Sequence, residues 1–440
     1  MAVAGALSNQ RQHRVSRAAA ILATTVGLAV AGLAPAVADA KPTGPGHTIA
    51  SGTSFYVEPH SQAAQQALTY LKQHNRADAL TMAKLASYPE ATWFEGGTPS
   101  EVRSQVAALE HAAAAKHQTP VLVAYYVPGR DCSQFSAGGA PSDAAYQAWI
   151  AGLAGGIGNH PSVVIVVPDA LAILPSDCSP TTDPTGEFTA GRIADVKYAV
   201  DVLDAQPNTA VYLDAGHSQW HSVGDMATRL VQAGLDDAQG FFVDVSNFQP
   251  TDQLDQYGTW IAKCAWFAGP HGPDWARGHY DWCASQYYSG AAPNDGQPGN
   301  AVSPSDPSTW HWTDLWYDQN AGTPPVSQLT HFVVDTSRNG LGAWNPNPAD
   351  FPGDPQNWCN PPDRGIGARP TADTGVTLVD AYLWVKTIGE SDGQCNRGYP
   401  LGSPDPVYGS VDPAAGAWWP EQALMLANNA NPPLRFAFPH

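Results

Sequence analysis

Val163-Val164-Ile165-Val166-Val167-Pro168-Asp169 is apolar at five consecutive positions and then abruptly acidic. A run that is apolar throughout, without alternation, suits a strand of a parallel sheet buried on both faces. The pattern recurs on either side of it: Val121 to Tyr126 precede Arg130-Asp131, Ala210 to Leu213 precede Asp214, and Phe241 to Val245 precede Ser246-Asn247. Further on, Phe332 to Val334 precede Asp335, and Leu378 to Val385 precede Lys386 and Glu390. Ala144 to Leu153, Phe188 to Leu203 and Met226 to Leu235 lie between these runs with helical spacing. Strand and helix in alternation predict an α/β fold, either a barrel or a doubly wound sheet. Polar residues follow many strand ends, as in a barrel that gathers its site at the C-terminal face, and no Gly-x-Gly-x-x-Gly follows the first strand. The expectation is a distorted (β/α) TIM-like barrel with parallel strands and long decorated loops.

Outside that core, Arg11, Arg14 and Arg17 precede an apolar stretch from Ala18 to Leu33, and Ala38-Asp39-Ala40 follows it. This reads as a secretory signal over residues 1–40, the alternative being an uncleaved anchor. A short extension over 41–52 then leads into one domain over 53–440. Residues 252–328 break the rhythm with seven tryptophans, Pro, Gly and two cysteines, and read as an inserted, elaborated βα loop. No Pro/Thr/Ser-rich linker introduces a second module.

The chain has 440 residues and a formal charge of −19. Loss of the signal removes three Arg and one Asp, deepening the deficit to −21. Such a balance argues against nucleic acid or an anionic membrane as partner. Cys132, Cys178, Cys264, Cys283, Cys359 and Cys395 contain no CxxC pair, so zinc and thioredoxin-like readings lack their spacing. In an exported chain they suggest three disulfides, with fifteen connectivities open to them.

A barrel mouth offering Asp131, Asp169, Asp214 and Asp392 with few cations forces carboxylates to repel one another, which keeps at least one protonated near neutral pH. An acid opposite an ionised carboxylate is the equipment of glycoside hydrolysis, and indole faces accept the C–H faces of sugars. The plainer reading is that these Asp residues cap helices and close turns. A serine or zinc hydrolase lacks its signatures, since neither Gly-x-Ser-x-Gly nor His-Glu-x-x-His occurs.

Val123 to Cys132 with Ser136-Ala137-Gly138, and Val164 to Ala172, resemble the two signatures of glycoside hydrolase family 6, the cellulases. Tyr212 to His217 with Trp220, Val245 to Phe248, Asp335 to Gly340, Trp358-Cys359-Asn360, and Trp384 to Lys386 with Gly389 to Gly393 are similar to further family segments. The resemblance spans about Tyr56 to Leu434. It implies an inverting β-1,4-glucanase, and with the signal the expectation is a secreted, monomeric endo-β-1,4-glucanase acting on cellulose and cello-oligosaccharides without metal or cofactor. By the same resemblance Asp169 is the general acid, Asp131 supports it and relays the water proton, Asp392 is the disputed base candidate, and Tyr125 crowds the sugar at the cleavage point. Lys386 and Glu390 match sugar-binding groups, and Asp214 with His217 match a pair in the site wall. Trp220 and Trp358 match stacking platforms, with Trp93 and Asn247 as further contacts. The bridges implied are Cys132 with Cys178 and Cys359 with Cys395, which leaves Cys264 with Cys283.

Two positions depart from the family pattern: Val167 stands where Glu precedes Pro-Asp, and Ala137 where a serine helps hold the catalytic water. These motivate a second reading, a glycan-binding protein on a weakened hydrolase scaffold. Only Gln394 separates Asp392-Gly393 from Cys395, where chain-end cutters of the family carry a long loop. That favours interior cleavage, whereas the 252–328 insertion could roof the site and favour an exo-acting cellobiohydrolase.

Overall fold

The computed structural model describes residues 47–178, 181–288 and 302–437. The segment expected to be a signal, residues 1–40, lies outside them. Seven strands, β1 Thr92–Phe94, β2 Val121–Ala124, β3 Ser162–Val166, β4 Thr209–Asp214, β5 Gly240–Val243, β6 His331–Asp335 and β7 Val379–Leu383, pair in parallel in chain order. The helices are α1 Gln62–Lys72, α2 Arg76–Leu85, α3 Pro99–Ala114, α4 Asp143–Ile157, α5 Pro175–Cys178, α6 Glu187–Asp204, α7 Val223–Gln232, α8 Thr251–Ala268, α9 His311–Asn320 and α10 Pro420–Asn428. Every residue of β2, β3, β4 and β5 is buried, which is why these runs show no alternation. Each fully buried Val, Ile, Leu or Phe side chain contributes about 1.5–3 kcal/mol to holding the sheet between its helices.

The result is a distorted (β/α) barrel, as expected, with seven strands among the described residues in place of the usual eight. β1 and β7 are the two ends of the sheet. They are laced by one main-chain bond, Ala91 N to Trp384 O at 2.9 Å, and one indole bond, Trp93 Nε1 to Val385 O at 2.8 Å. Met82, Leu85, Trp384, Ile388 and Leu426 form a separate apolar cluster at this seam.

The described parts of the 252–328 segment, residues 252–288 and 302–328, are more regular than a decorated loop. They open with α8, whose Leu254, Tyr257, Ile261 and Cys264 are buried, and they contain α9. Trp260 and Trp310 are fully buried with ring centroids 5.2 Å apart, and Trp260 Nε1 donates to Asp314 at 2.7 Å. Trp275 and Trp282 by contrast are exposed. Disulfides join Cys132 to Cys178, Cys264 to Cys283 and Cys359 to Cys395. No helix among the described residues is long and apolar enough to cross a membrane.

Candidate active site

The C-terminal strand ends open onto a cleft of about 520 Å³. The loop after β2 brings Tyr125 and Asp131, that after β3 Asp169, that after β4 His217 and Trp220, and that after β5 Asn247. The segment after β7 brings Lys386, Glu390 and Asp392, β1 supplies Trp93, and Trp358 faces in from the long β6–β7 connection. Of the twelve residues expected to act or bind, only Asp214 is absent from the cleft lining.

Asp214 lies underneath. It is 2% exposed, and its carboxylate accepts from the amides of Leu171 (3.1 Å), Ala172 (2.8 Å) and Gly216 (3.1 Å). It therefore pins the turn that carries Asp169 instead of facing a sugar. That turn is left-handed at Val167 (φ 45°) and Asp169 (φ 66°), and the Asp131 turn is left-handed at φ 57°. Non-glycine residues held there cost on the order of 1–3 kcal/mol each, which the surrounding packing must offset. For the β-branched Val167, fully buried in the core, the conformation is a marked outlier.

The electrostatics single out Asp169. Burial, then the charges of Asp214, Asp131 and Asp392, push its carboxyl well above the usual range, with Lys386 opposing them. Asp131 is raised by burial, against the Ser136 amide that donates to it at 2.6 Å and the Arg130 charge. Arg130 also lies 4.2 Å over the Tyr125 ring and donates to the Tyr125 and Ser136 carbonyls. Burial holds the Tyr125 phenol protonated. Asp392 faces the opposite environment: fully buried Arg338 meets its two oxygens at 2.9 and 3.0 Å, and the Asn360 amide donates to it at 2.9 Å.

The remaining groups are held as firmly. Asp335 accepts from the amides of Val385 (3.1 Å) and Lys386 (3.0 Å), which aims Lys386 from the end of β7. Glu390 accepts from Gln62 Nε2 at 2.6 Å and is raised by burial, with Lys386 lowering it. His217 is pushed down to about 3 by burial and by His221, so it is neutral, and its Nδ1 accepts from the Gln219 amide at 3.2 Å. Lys386 Nζ sits 5.9 Å from the Trp93 ring, and Trp358 is 37% exposed, 6.1 Å from Phe135. Ala137 and Ser136 both line the cleft.

Three supporting residues carried no role in the sequence reading. Arg338 and Asn360 stood inside quoted motifs, but their partner Asp392 is 54 and 32 residues away. Glu90, which accepts from the Ile388 amide at 2.9 Å and is pushed up to about 8 by burial, follows no strand. The one group of potential metal ligands among the described residues, Cys395, Asp405 and Asp412, is not a metal site. Its sulfur is in a disulfide and Asp405 pairs with Arg397 at 2.8 Å.

A parallel barrel whose mouth sets a carboxyl with a raised pKa among other carboxylates and indole faces has the architecture of a glycoside hydrolase. Comparison narrows this: the profile described as "Glycosyl hydrolases family 6" matches residues 50–430. Endoglucanase A of Thermobispora bispora is 31% identical over 95% of this chain and 71% of its own length. Endoglucanase 1 of Streptomyces sp. (strain KSM-9) is also 31% identical, over 91% of this chain and 94% of its own. The structure of the endoglucanase Cel6 from Mycobacterium tuberculosis, in complex with methyl-cellobiosyl-4-deoxy-4-thio-β-D-cellobioside, is 33% identical with a TM-score of 0.62, covering 88% of this chain and 99% of that one. The chain belongs to glycosyl hydrolases family 6 and is a cellulase of that family.

Proposed function

We propose that the protein is an exported, inverting endo-β-1,4-glucanase, and the environment of Asp169 is the observation that carries this reading. Its carboxyl, raised well above the usual range by burial and three neighbouring carboxylates, keeps its proton to higher pH than a free Asp and so serves as the donor. As the glycosidic C–O bond breaks, the leaving oxygen takes the Asp169 proton. Water adds to the anomeric carbon from the opposite face and releases its proton through Asp131, one oxygen of which is fixed by the Ser136 amide. Asp392, with both oxygens engaged by Arg338 and one also by the Asn360 amide, has its acceptor positions occupied, which argues against it as the base. Trp93, Trp220 and Trp358 offer stacking surfaces, and Asn247, His217, Lys386 and Glu390 offer polar contacts along the cleft. The short link Gly393-Gln394-Cys395, tied back to Cys359, supports an open cleft and interior cleavage. Three disulfides support export.

Replacing Asp169 by Ala is expected to abolish hydrolysis of carboxymethylcellulose while cello-oligosaccharide binding survives; unchanged turnover would sink the assignment. NMR of fresh cellohexaose products should show the α-anomer, and early appearance of internal fragments marks endo action. Val167 and Ala137 favour the second reading, glycan binding on a weakened scaffold, which predicts affinity without release of reducing sugar.

A further inference from the structure

The loop carrying Trp220 is not held by the barrel alone. Gln286, in the inserted segment after α8, is completely buried, and its Nε2 donates to the carbonyls of Ser218 (2.9 Å) and His221 (2.8 Å), which bracket Trp220. Tyr257 of α8 donates its hydroxyl to the same His221 carbonyl at 3.1 Å, and Tyr287 reaches the Trp220 carbonyl at 3.4 Å. Gln286 is itself clamped. The Cys264–Cys283 bridge ties the chain three residues before it to α8. From α9, Thr313 and Tyr317 donate to the Ser285 and Ala284 carbonyls at 2.9 and 3.0 Å. Beyond Trp220, His221 stacks on the indole at 5.4 Å and an angle of 23°, and Ser222 caps α7.

We propose that the described part of the 252–328 insertion, residues 252–288 and 302–328, is a buttress for the Trp220 platform, with Gln286 as the positioning residue that sets how the glucan seats on that side of the cleavage point. A buried carboxamide spanning two carbonyls fixes the peptide planes on both sides of Trp220, and so the direction in which its side chain leaves the backbone. Removing the donor leaves the Ser218 carbonyl unpaired and the His221 carbonyl with Tyr257 alone, and the loop relaxes to recover partners. Asp169 is carried by the turn after β3 and is pinned by Asp214, six residues ahead of Trp220, so the main effect falls on binding and on which bond is presented. The inference rests on reading Trp220 as a sugar platform.

Cellohexaose hydrolysis by the full chain tests it, comparing the parent with Trp220→Ala, Gln286→Met and the double variant. Gln286→Met is expected to raise KM about five-fold or more with kcat within about two-fold. It should shift the ratio of cellotriose to cellobiose plus cellotetraose in the same direction as Trp220→Ala, and add nothing in the double variant. The inference is overturned if Trp220→Ala shifts KM and product ratio while Gln286→Met keeps both at parent values or lowers kcat alone. If Trp220→Ala itself changes neither, the platform reading fails and takes the buttress with it. Should Gln286→Met not fold, Tyr257→Phe decides: the same signature at about two-fold supports the buttress, and parent-like values overturn it.

Discussion

Asp169 and Asp392 share one mouth and are given opposite partners. Asp169 sees the charges of Asp214, Asp131 and Asp392, whereas Asp392 is gripped by Arg338. Asp131→Asn removes one of the charges that keep the Asp169 proton in place. The alkaline limb of kcat/KM is therefore expected to move to lower pH, alongside a loss of roughly a hundred-fold or more from the missing proton relay; a pH–rate profile checks both. Glu90 makes a separable prediction about stability. Its carboxyl rises from 4.5 to about 8 on folding, so its contribution is full below about pH 4.5 and declines as pH climbs towards 8. Glu90→Gln still offers an oxygen to the Ile388 amide, and its melting temperature should gain on the parent by a few degrees between those limits. The acids Asp131 and Asp169 were legible because each follows an apolar run at a strand end. Arg338, Asn360 and Glu90 were not, because what they do depends on partners tens to hundreds of residues away, fixed only by folding.

At the level of elements, β2 to β6 could be read as buried runs, whereas β7 alternates between buried and partly buried residues, and the order in the sheet follows the order in the chain. β1 could not, since Thr92-Trp93-Phe94 is three residues long and two of them are only partly buried. The insertion misled for another reason. Its Trp, Pro and Gly content suggests a loop, yet Leu254, Tyr257, Ile261 and Cys264 recur at three- and four-residue intervals on the buried face of α8. Asp214 stands at the end of β4 as expected, but its carboxylate turns to backbone amides beneath the cleft: a strand-end acid can as readily hold these as face a ligand. The β3 turn carries the departure from the family pattern. Val167→Glu would put a carboxylate beside Asp169 but into an apolar core, where Val167 has no exposure. The expected result is an alkaline limb shifted to higher pH and a stability loss of about 2–4 kcal/mol, read by the pH–rate profile and denaturant melts.

For the molecule as a whole, acidic charge and three disulfides were visible in composition, while the missing closure of the barrel was not. Six strand pairings hold the sheet together, and the seventh junction is the Ala91 bond to Trp384 with the Trp93 indole beside it. In native-state hydrogen exchange the Ala91 amide should therefore lose its proton faster than the amides of β2 to β5; equal protection would contradict this. The barrel is in effect a split ring. Trp93 stands on one lip, and the Lys386 and Glu390 segment continues from the other. A ring of this kind can spread at its seam without parting a single strand from its neighbour, the bonds that yield there being Ala91 to Trp384 and Trp93 to Val385.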